Sequence, residues 1–278
     1  DGRWVVTASG DATARVWDAA TGRPVGEPMR HQGPVYHAAF GPDGRWVVTS
    51  SHDGTARIWE AASGKPVGEP LRHERAANDA AFSRDGRWVV TASDDNTARI
   101  WEAASGRPLG ESLRHEGGVN HAAFSPDSLR VATASADKTA RVWDAATGRA
   151  MGEALRHGGS VTHIAFSPDG RRVVTASADQ TARVWDAGSG EALGEPMRHA
   201  DRENHAARRP AGRREETASD DRTARLWDAE SGRPVGDPLR HAGPVEQAAF
   251  APDGRRVVTA SRDNTARVWD AASGRPAG

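Results

Sequence analysis

The chain has 278 residues, a formal net charge of −1 and no cysteine. Such a balance gives no global field to draw it onto nucleic acid or an anionic membrane, and the missing thiols exclude disulfides, thiolate metal sites and a cysteine nucleophile. No apolar run approaches membrane-spanning length and no signal-peptide pattern is present, so a cytoplasmic location is the expectation.

A Trp-Asp or Trp-Glu dipeptide recurs every 42 residues, at Trp17, Trp59, Trp101, Trp143, Trp185, Trp227 and Trp269, with no insertion or deletion between units. A period in this range marks a solenoid, a propeller or an array. Seven full units need sixteen residues more than the chain has, and the chain starts and stops inside a motif, at Asp1 and Gly278. A fragment of a longer protein is expected. The stretch wanting corresponds to Glu27–Pro42 of the next unit, so the first unit lacks its first strand and the last keeps only the Arg275-Pro276 start of its fourth.

Taken in chain order, the second unit predicts four strands, here called a to d. Strand a follows His31 and ends at Phe40, with a turn at Gly41-Pro42-Asp43-Gly44. Strand b runs from Arg45 to Ser51, a tight turn falls at Asp53-Gly54, strand c covers Thr55 to Trp59, and strand d lies between Pro66 and Leu71 after a turn around Ser63-Gly64. These runs are rich in Val, Ile, Thr, Phe and Trp and punctuated by Pro, Asp and Gly, with no helical period. Short turns between consecutive strands make an antiparallel meander. Strand d carries Pro66 and Pro70, as Pro24 and Pro28 do one unit earlier, and proline, which cannot donate to a ladder, places it at the outer edge.

These motifs, His, then Ala-Phe-Ser-Pro-Asp-Gly, then Thr-Ala-Ser-x-Asp-x-Thr-Ala-Arg-Val-Trp-Asp, resemble the WD40 repeat family, of a bacterial type with near-identical repeats, along the whole chain. The resemblance implies an all-β fold: one seven-bladed β-propeller over 1–278, with four-stranded antiparallel blades around a central channel and a defect at the seam between first and last blades. One departure is Arg30 before His31, where the family usually has glycine.

The resemblance also implies a structural tetrad in each blade. In the second unit its members are His31, Asp53 and Trp59 with Thr49 or Ser51, two hydroxyls that alternation puts on one face. The later sets are His73, Asp95 and Trp101; His115, Asp137 and Trp143; His157, Asp179 and Trp185; His199, Asp221 and Trp227; and His241, Asp263 and Trp269. Donor and acceptor capacities match along such a chain. A hydrolytic triad is the rival reading of His, Asp and Ser, but triads are single constellations and these residues recur blade after blade, so no catalytic residue is assigned.

Function is sought where the units differ. The d-to-a and b-to-c loops emerge on one face, and the residue before the turn aspartate is Gly10, His52, Asp94, Ala136, Ala178, Asp220 or Arg262. The residue after it is Ala12, Gly54, Asn96, Lys138, Gln180, Arg222 or Asn264, and a third variable position on strand a holds Tyr36, Asn78, Asn120, Thr162, Asn204 or Glu246. Partner contacts are expected from Tyr36, His52, Asn78, Asp94, Asn120, Asp220, Arg222, Glu246 and Arg262, because this face of WD40 proteins commonly receives peptides and proteins. The alternative is drift at solvated loop tips. At the start of strand b, Trp4, Trp46 and Trp88 give way to Arg130, Arg172, Arg214 and Arg256, either a partner site or caps on the core edge.

The sixth unit sets Glu203, Arg208, Arg209, Glu215 and Glu216 where its siblings are apolar or small, with Asp201-Arg202 replacing Gly-Pro. Unpaired charge there is costly, so either the blade is locally loose, or Glu and Arg pair across it, or the segment reflects decay or a sequence error, with decay the favoured reading and fast amide exchange in this blade the expectation. His37, His121, His163 and His205 recur on strand a, interrupted by Asp79 and Gln247. Each lies six residues from the loop histidine, about 20 Å along a full strand, which argues against a metal site.

The function expected is a non-catalytic protein-interaction scaffold or sensor module without cofactor or metal. A regulatory region of a larger signalling NTPase, kinase or protease is the alternative, by family analogy. An enzyme with a channel-mouth site and a nucleic-acid binder rank below it. Strand addition at the seam is a further way to bind a partner.

Overall fold

A computed structural model describes residues 2–208, 214–229, 231–251 and 253–277. Asp1, Arg209, Gly278 and the side chain of Arg208 lie outside the described residues. Among the described residues all regular structure is β-strand, in seven antiparallel sheets, the blades of a seven-bladed β-propeller.

Blade 1 consists of β1 (Trp4–Ala8), β2 (Thr13–Asp18) and β3 (Pro24–Arg30); blade 2 of β4 (Val35–Phe40), β5 (Trp46–Ser51), β6 (Thr55–Glu60) and β7 (Pro66–Arg72). Blade 3 holds β8 (Ala77–Phe82), β9 (Trp88–Ser93), β10 (Thr97–Glu102) and β11 (Pro108–Arg114). Blade 4 holds β12 (Val119–Phe124), β13 (Arg130–Ser135), β14 (Thr139–Asp144) and β15 (Ala150–Arg156), and blade 5 β16 (Val161–Phe166), β17 (Arg172–Ser177), β18 (Thr181–Asp186) and β19 (Ala192–Arg198). Blade 6 has β20 (Glu203–Arg208), β21 (Arg214–Ser219), β22 (Thr223–Asp228) and a short β23 (Leu239–Arg240); blade 7 has β24 (Val245–Phe250), β25 (Arg256–Ser261) and β26 (Ala266–Asp270). The strands of each sheet lie side by side in chain order, and in blades 1, 2, 3 and 5 the proline-bearing strand lies at an edge. The outer strand of blade 7 is reduced to one bridge between Trp269 and Pro276. Blade 1 has three strands and no inner one among the described residues.

The described chain forms two compact units, 1–133 with 143–149 and 134–142 with 150–278. In the first, the core lies between successive blades: Ala14, Val16 and Met29 of blade 1 pack with Val35, Val47 and Trp59 of blade 2. Val48, Ile58 and Leu71 of blade 2 pack in turn with Ala80, Val89 and Trp101 of blade 3. In the second unit Val174, Val184 and Met197 of blade 5 meet Ala206 and Trp227 of blade 6. Alternation along each strand divides its side chains between two such cores, each buried Val, Leu or Met contributing about 1.5–3 kcal/mol.

Trp4, Trp46 and Trp88 are half-buried against these cores, and the guanidiniums of Arg3, Arg45 and Arg87 lie 5.2, 5.5 and 5.6 Å from their ring centres. Each tryptophan closes the end of an inter-blade core. At Arg30 the chain is tied down, because the next N–H, that of His31, donates to the Ala12 carbonyl (2.9 Å). Arg30 itself ends β3 opposite Thr13 with its side chain exposed, a place where no glycine is required.

Blade 6 keeps the register of its siblings despite its charge, with Glu203 opposite Ser219 and Glu216 opposite Ala207. Glu203, Glu215 and Glu216 are fully buried. Glu203 Oε1 lies 3.0 Å from His199 Nε2 without hydrogen-bond geometry, and Glu216 Oε1 accepts the Phe250 N–H (3.3 Å). Burial raises Glu203 well above the usual carboxyl range and Glu216 to about 8, so Glu216 is mostly a neutral acid near neutral pH.

Candidate functional site

The recurring polar chain forms where strand c, strand b and the d-to-a loop meet. In blade 2 the Trp59 indole N–H donates to Thr49 Oγ1 (2.8 Å), Thr49 Oγ1 lies 2.7 Å from His31 Nε2, and His31 Nδ1 lies 3.0 Å from Asp53 Oδ2. The ends fix the protons. Indole only donates and carboxylate only accepts, so His31 carries its proton on Nδ1 and Nε2 accepts the threonine O–H. Asp53 also accepts from the Thr55 hydroxyl (2.6 Å) and the Gln32 N–H (2.9 Å), which anchors the d-to-a loop to the b-to-c turn.

The same distances recur. His73, Asp95, Thr91 and Trp101 form the chain in blade 3, His157, Asp179, Thr175 and Trp185 in blade 5, His199, Asp221, Thr217 and Trp227 in blade 6, and His241, Asp263, Thr259 and Trp269 in blade 7. In blade 4 His115 and Trp143 both meet Thr133, while Asp137, in the second unit, accepts from Thr139. Blade 1 has the Trp17 to Thr7 bond alone. Ser51 serves the loop instead, since its hydroxyl donates to the Gly33 carbonyl (3.0 Å) and receives the Asp53 N–H (3.2 Å). Burial holds His31, His73, His157 and His199 below the usual imidazole range against the upward pull of their aspartates. Burial opposes ionisation of Asp95 and Asp179, but hydrogen bonds led by Thr97 and Thr181 hold both down at about 2. A neutral imidazole locked at both nitrogens is a brace, with no free nitrogen to act as a base.

The variable positions prove to be partners. Tyr36 Oη lies 2.7 Å from His52 Nδ1, Asn78 donates to Asp94 (2.7 Å), Asn204 to Asp220 (2.8 Å), and Arg262 Nε meets Glu246 (2.5 Å). In blades 2, 3, 6 and 7 the strand-a position and the position sixteen residues on, before the turn aspartate, are therefore one contact, filled by a complementary pair. The asparagines also reach the following blade, Asn78 to the Val119 carbonyl (3.0 Å) and Asn204 to that of Val245 (3.1 Å), and Thr162 does the same to Glu203 (2.8 Å). Asn120 has interactions of its own in blade 4. The position after the turn aspartate, which includes Arg222, has a backbone cause: Ala12, Asn96, Lys138, Gln180, Arg222 and Asn264 all hold φ between 64° and 71°, with Gly54 at 79°. Tyr36 remains 49% exposed.

One arrangement was not expected from the sequence. His37 Nδ1 lies 3.0 Å and His121 Nε2 3.5 Å from the two oxygens of Asp79, which is buried and accepts the Ala122 N–H (3.1 Å). The three residues stand 42 apart, so the substitution that breaks the histidine column links the histidines on either side. Reading the column at the repeat spacing finds it. Among the described residues no group of three His, Asp or Glu is placed to hold a metal ion.

Seven meanders, each built to one pattern of polar braces and inter-blade cores, define a β-propeller of repeats. The sequence model of WD40 repeats, described as "WD domain, G-beta repeat", matches residues 1–18, 22–60, 64–102, 106–144, 153–186 and 232–270, more than half of the chain. The protein belongs to the WD40 family, whose propellers are generally non-catalytic and bind proteins or peptides. The matches leave out 187–231, which contain the charged strands of blade 6. Among solved structures, the crystal structure of the computationally designed Ika8 protein is similar at 26% identity and a TM-score of 0.86, over all of this chain and 84% of that one. No curated protein matches the chain.

Proposed function

We propose that this chain is a non-catalytic interaction scaffold that binds a protein or peptide through its d-to-a and b-to-c loops, in the cytoplasm and without a cofactor. The carrying observation is Tyr36: its ring is half exposed, yet its hydroxyl is held 2.7 Å from His52 Nδ1. A large aromatic with a polar tip, oriented before binding, loses little entropy on association and is a favoured interface anchor. Arg262, held by Glu246, is an exposed cation in the same repeat position as His52. The polar chain supports the reading, because its imidazoles are buried and engaged at both nitrogens in blades 2, 3, 5, 6 and 7.

The test is capture of a single partner by the immobilised protein, followed by Tyr36→Ala and Arg262→Ala. Loss of the partner with these variants, and retention with Lys65→Ala on the c-to-d side, supports the assignment. Retention with every loop variant sinks it, and a salt-dependent shift with DNA or RNA favours a nucleic-acid binder instead.

A further inference from the structure

A row of arginines follows the rim of blades 1 to 3 where the outer strands end. Arg30, Arg72 and Arg114 are the last residues of β3, β7 and β11, and all three are exposed. They stand opposite Thr13, Thr55 and Thr97 of strand c, and Arg72 and Arg114 so share a face with Arg57 and Arg99, two residues further along β6 and β10. That face looks back at the preceding blade. Trp59, on the same face of β6 as Arg57, packs against blade 1, and Arg99 Nη1 donates to the Arg72 carbonyl of blade 2 (3.2 Å). A strand-c arginine therefore falls between successive strand-d arginines. The order along the rim is Arg30, Arg57, Arg72, Arg99 and Arg114, all within the first compact unit.

The row carries its charge with little compensation. Arg30, Arg57, Arg72 and Arg114 have no ion pair among the described residues, and Arg99 has a long one, 3.6 Å, to Asp95. The turn acids on these blades are already occupied. Asp53 accepts the Thr55 hydroxyl and N–H on Oδ1 and meets the Gln32 N–H and His31 on Oδ2, and Asp95 repeats this with Thr97, Glu74 and His73. The Nε atoms of Arg57 and Arg99 are buried, so their stems are held and the tips of the forks are presented. Like charges side by side repel in the free chain, and an anionic segment laid along them relieves that. A guanidinium meets a carboxylate in plane, through two parallel hydrogen bonds. Two observations favour a peptide over nucleic acid. The tryptophans of this face, Trp59 and Trp101, are buried, so their rings are closed to a stacking base. Glu27, Glu69 and Glu111, exposed three residues before Arg30, Arg72 and Arg114, limit the positive strip to a narrow band that a sugar-phosphate backbone would overrun.

We propose that this row is a binding site for an extended acidic segment, rich in Asp and Glu, of a partner protein. Side chains of an extended segment alternate, so acids at every second position face the row, each against one or two guanidiniums. The site rests on the reading of the chain as a protein-binding scaffold and names the chemistry of a partner, on the outer strands and apart from Tyr36 on an inner one. Tyr36→Ala and Arg262→Ala leave acidic-peptide binding unchanged, and loss of the row leaves capture through Tyr36 intact, so the two readings fail separately.

The probe is a fluorescent peptide of alternating Asp and Ser, about ten residues long, titrated with the full chain and followed by anisotropy. Saturable binding that weakens as salt rises is expected. Arg72→Ala combined with Arg114→Ala weakens it about tenfold, and Arg72→Glu combined with Arg114→Glu abolishes it. Arg23→Ala combined with Arg107→Ala, two exposed arginines at the c-to-d turns, changes it by less than about twofold. All six side chains replaced are exposed, and an unchanged melting temperature shows that each variant is folded. Equal loss with the turn arginines overturns the proposal, because the attraction then belongs to the charge of the whole chain. Equal binding of a neutral Asn-Ser peptide, or no saturable binding at all, also overturns it. So does tighter binding of an oligothymidylate of the same charge, which assigns the row to nucleic acid.

Discussion

The carboxylate of Asp79 lies 3.0 Å from Nδ1 of His37, two residues that occupy the same repeat position on neighbouring blades. His121 approaches the other oxygen at 3.5 Å, so one buried acid serves two imidazoles on either side of it. Burial works against both charges, but the two histidines hold Asp79 well below the usual carboxylate range, and Asp79 raises His37 above the usual imidazole range. A raised histidine adds stability that is complete below its unfolded pKa, about 6.5, and is lost as pH rises through the folded value. The carboxylate's part is present above about 3.9 and lost only in strong acid. Asp79→Asn should therefore cost about 1–3 kcal/mol near pH 6 and less toward pH 9, as His37 loses its proton. Urea unfolding at the two pH values checks this; an equal loss at both assigns the role of Asp79 to its bond with the Ala122 N–H.

The blade pattern was legible in the sequence because each strand carries its own punctuation. Pro66 and Pro70 mark an edge, and Asp53-Gly54 and Gly41-Pro42-Asp43-Gly44 mark turns. The hydroxyl in the tetrad was not legible, since Thr49 and Ser51 lie on one face of β5 and alternation treats them alike. They differ in depth along the strand: Thr49 lies under the indole, and Ser51, at the strand end, reaches the Gly33 carbonyl. The variable columns were visible, but the pairing of Tyr36 with His52 and of Glu246 with Arg262 appears only when columns sixteen apart are read together. Much of that variation is complementarity within a blade, a cause that loop exposure alone does not suggest.

Glu216 gives blade 6 a pH dependence of opposite sign to that of a paired carboxylate. Burial raises its pKa to about 8 from 4.5, so between those values the unfolded chain has released a proton that the folded chain retains, and stability falls as pH rises. Glu216→Val restores the residue its siblings carry, and its gain should be about 3–4 kcal/mol larger at pH 8 than at pH 5. Denaturant unfolding at the two pH values measures the difference; a gain independent of pH would show that Glu216 is ionised in the fold.

Amide exchange should locate the same weakness. Three buried glutamates along β20 and β21 replace apolar contacts that β16 and β17 keep. Local opening of blade 6 lets the carboxyl of Glu216 ionise, so the amides of β20 and β21 should exchange faster than those of β16 and β17, by a factor that grows from pH 6 to pH 8. Uniform protection of the two blades at pH 8 would contradict this.

Ser128 occupies the left-handed turn position that glycine takes in its siblings. Its φ is 61°, and Gly44, Gly86, Gly170 and Gly254 have 70°, 72°, 68° and 63°. An L-residue is strained there by about 1–2 kcal/mol, and glycine gives back part of the relief through the entropy of the unfolded chain. Ser128→Gly should stabilise by about 0.5–1 kcal/mol, read as a rise in melting temperature, while Gly170→Ser lowers it by a similar amount.

The polar chain itself is best tested at its central hydroxyl. Thr175 is fully buried and serves both Trp185 Nε1 at 2.8 Å and His157 Nε2 at 2.7 Å. Thr175→Val keeps the shape and removes the oxygen, leaving an indole donor and an imidazole acceptor in a dry site. The expected cost is about 2–4 kcal/mol, because each orphaned group loses its solvation without replacement. Thr175→Ser retains the oxygen and loses one methyl, for about 0.5–1.5 kcal/mol. The imidazole provides a second readout, since His157 is held low by burial and its Nε2 accepts from Thr175. With valine neither form finds a partner at Nε2, and an unpaired N–H on a buried cation costs more than an unpaired lone pair, so the His157 resonance should titrate at lower pH in Thr175→Val and near the wild-type value in Thr175→Ser. A valine variant as stable as the serine one would mean that the threonine fills space only, and that the order of protons from Trp185 to Asp179 has no part in holding the blade.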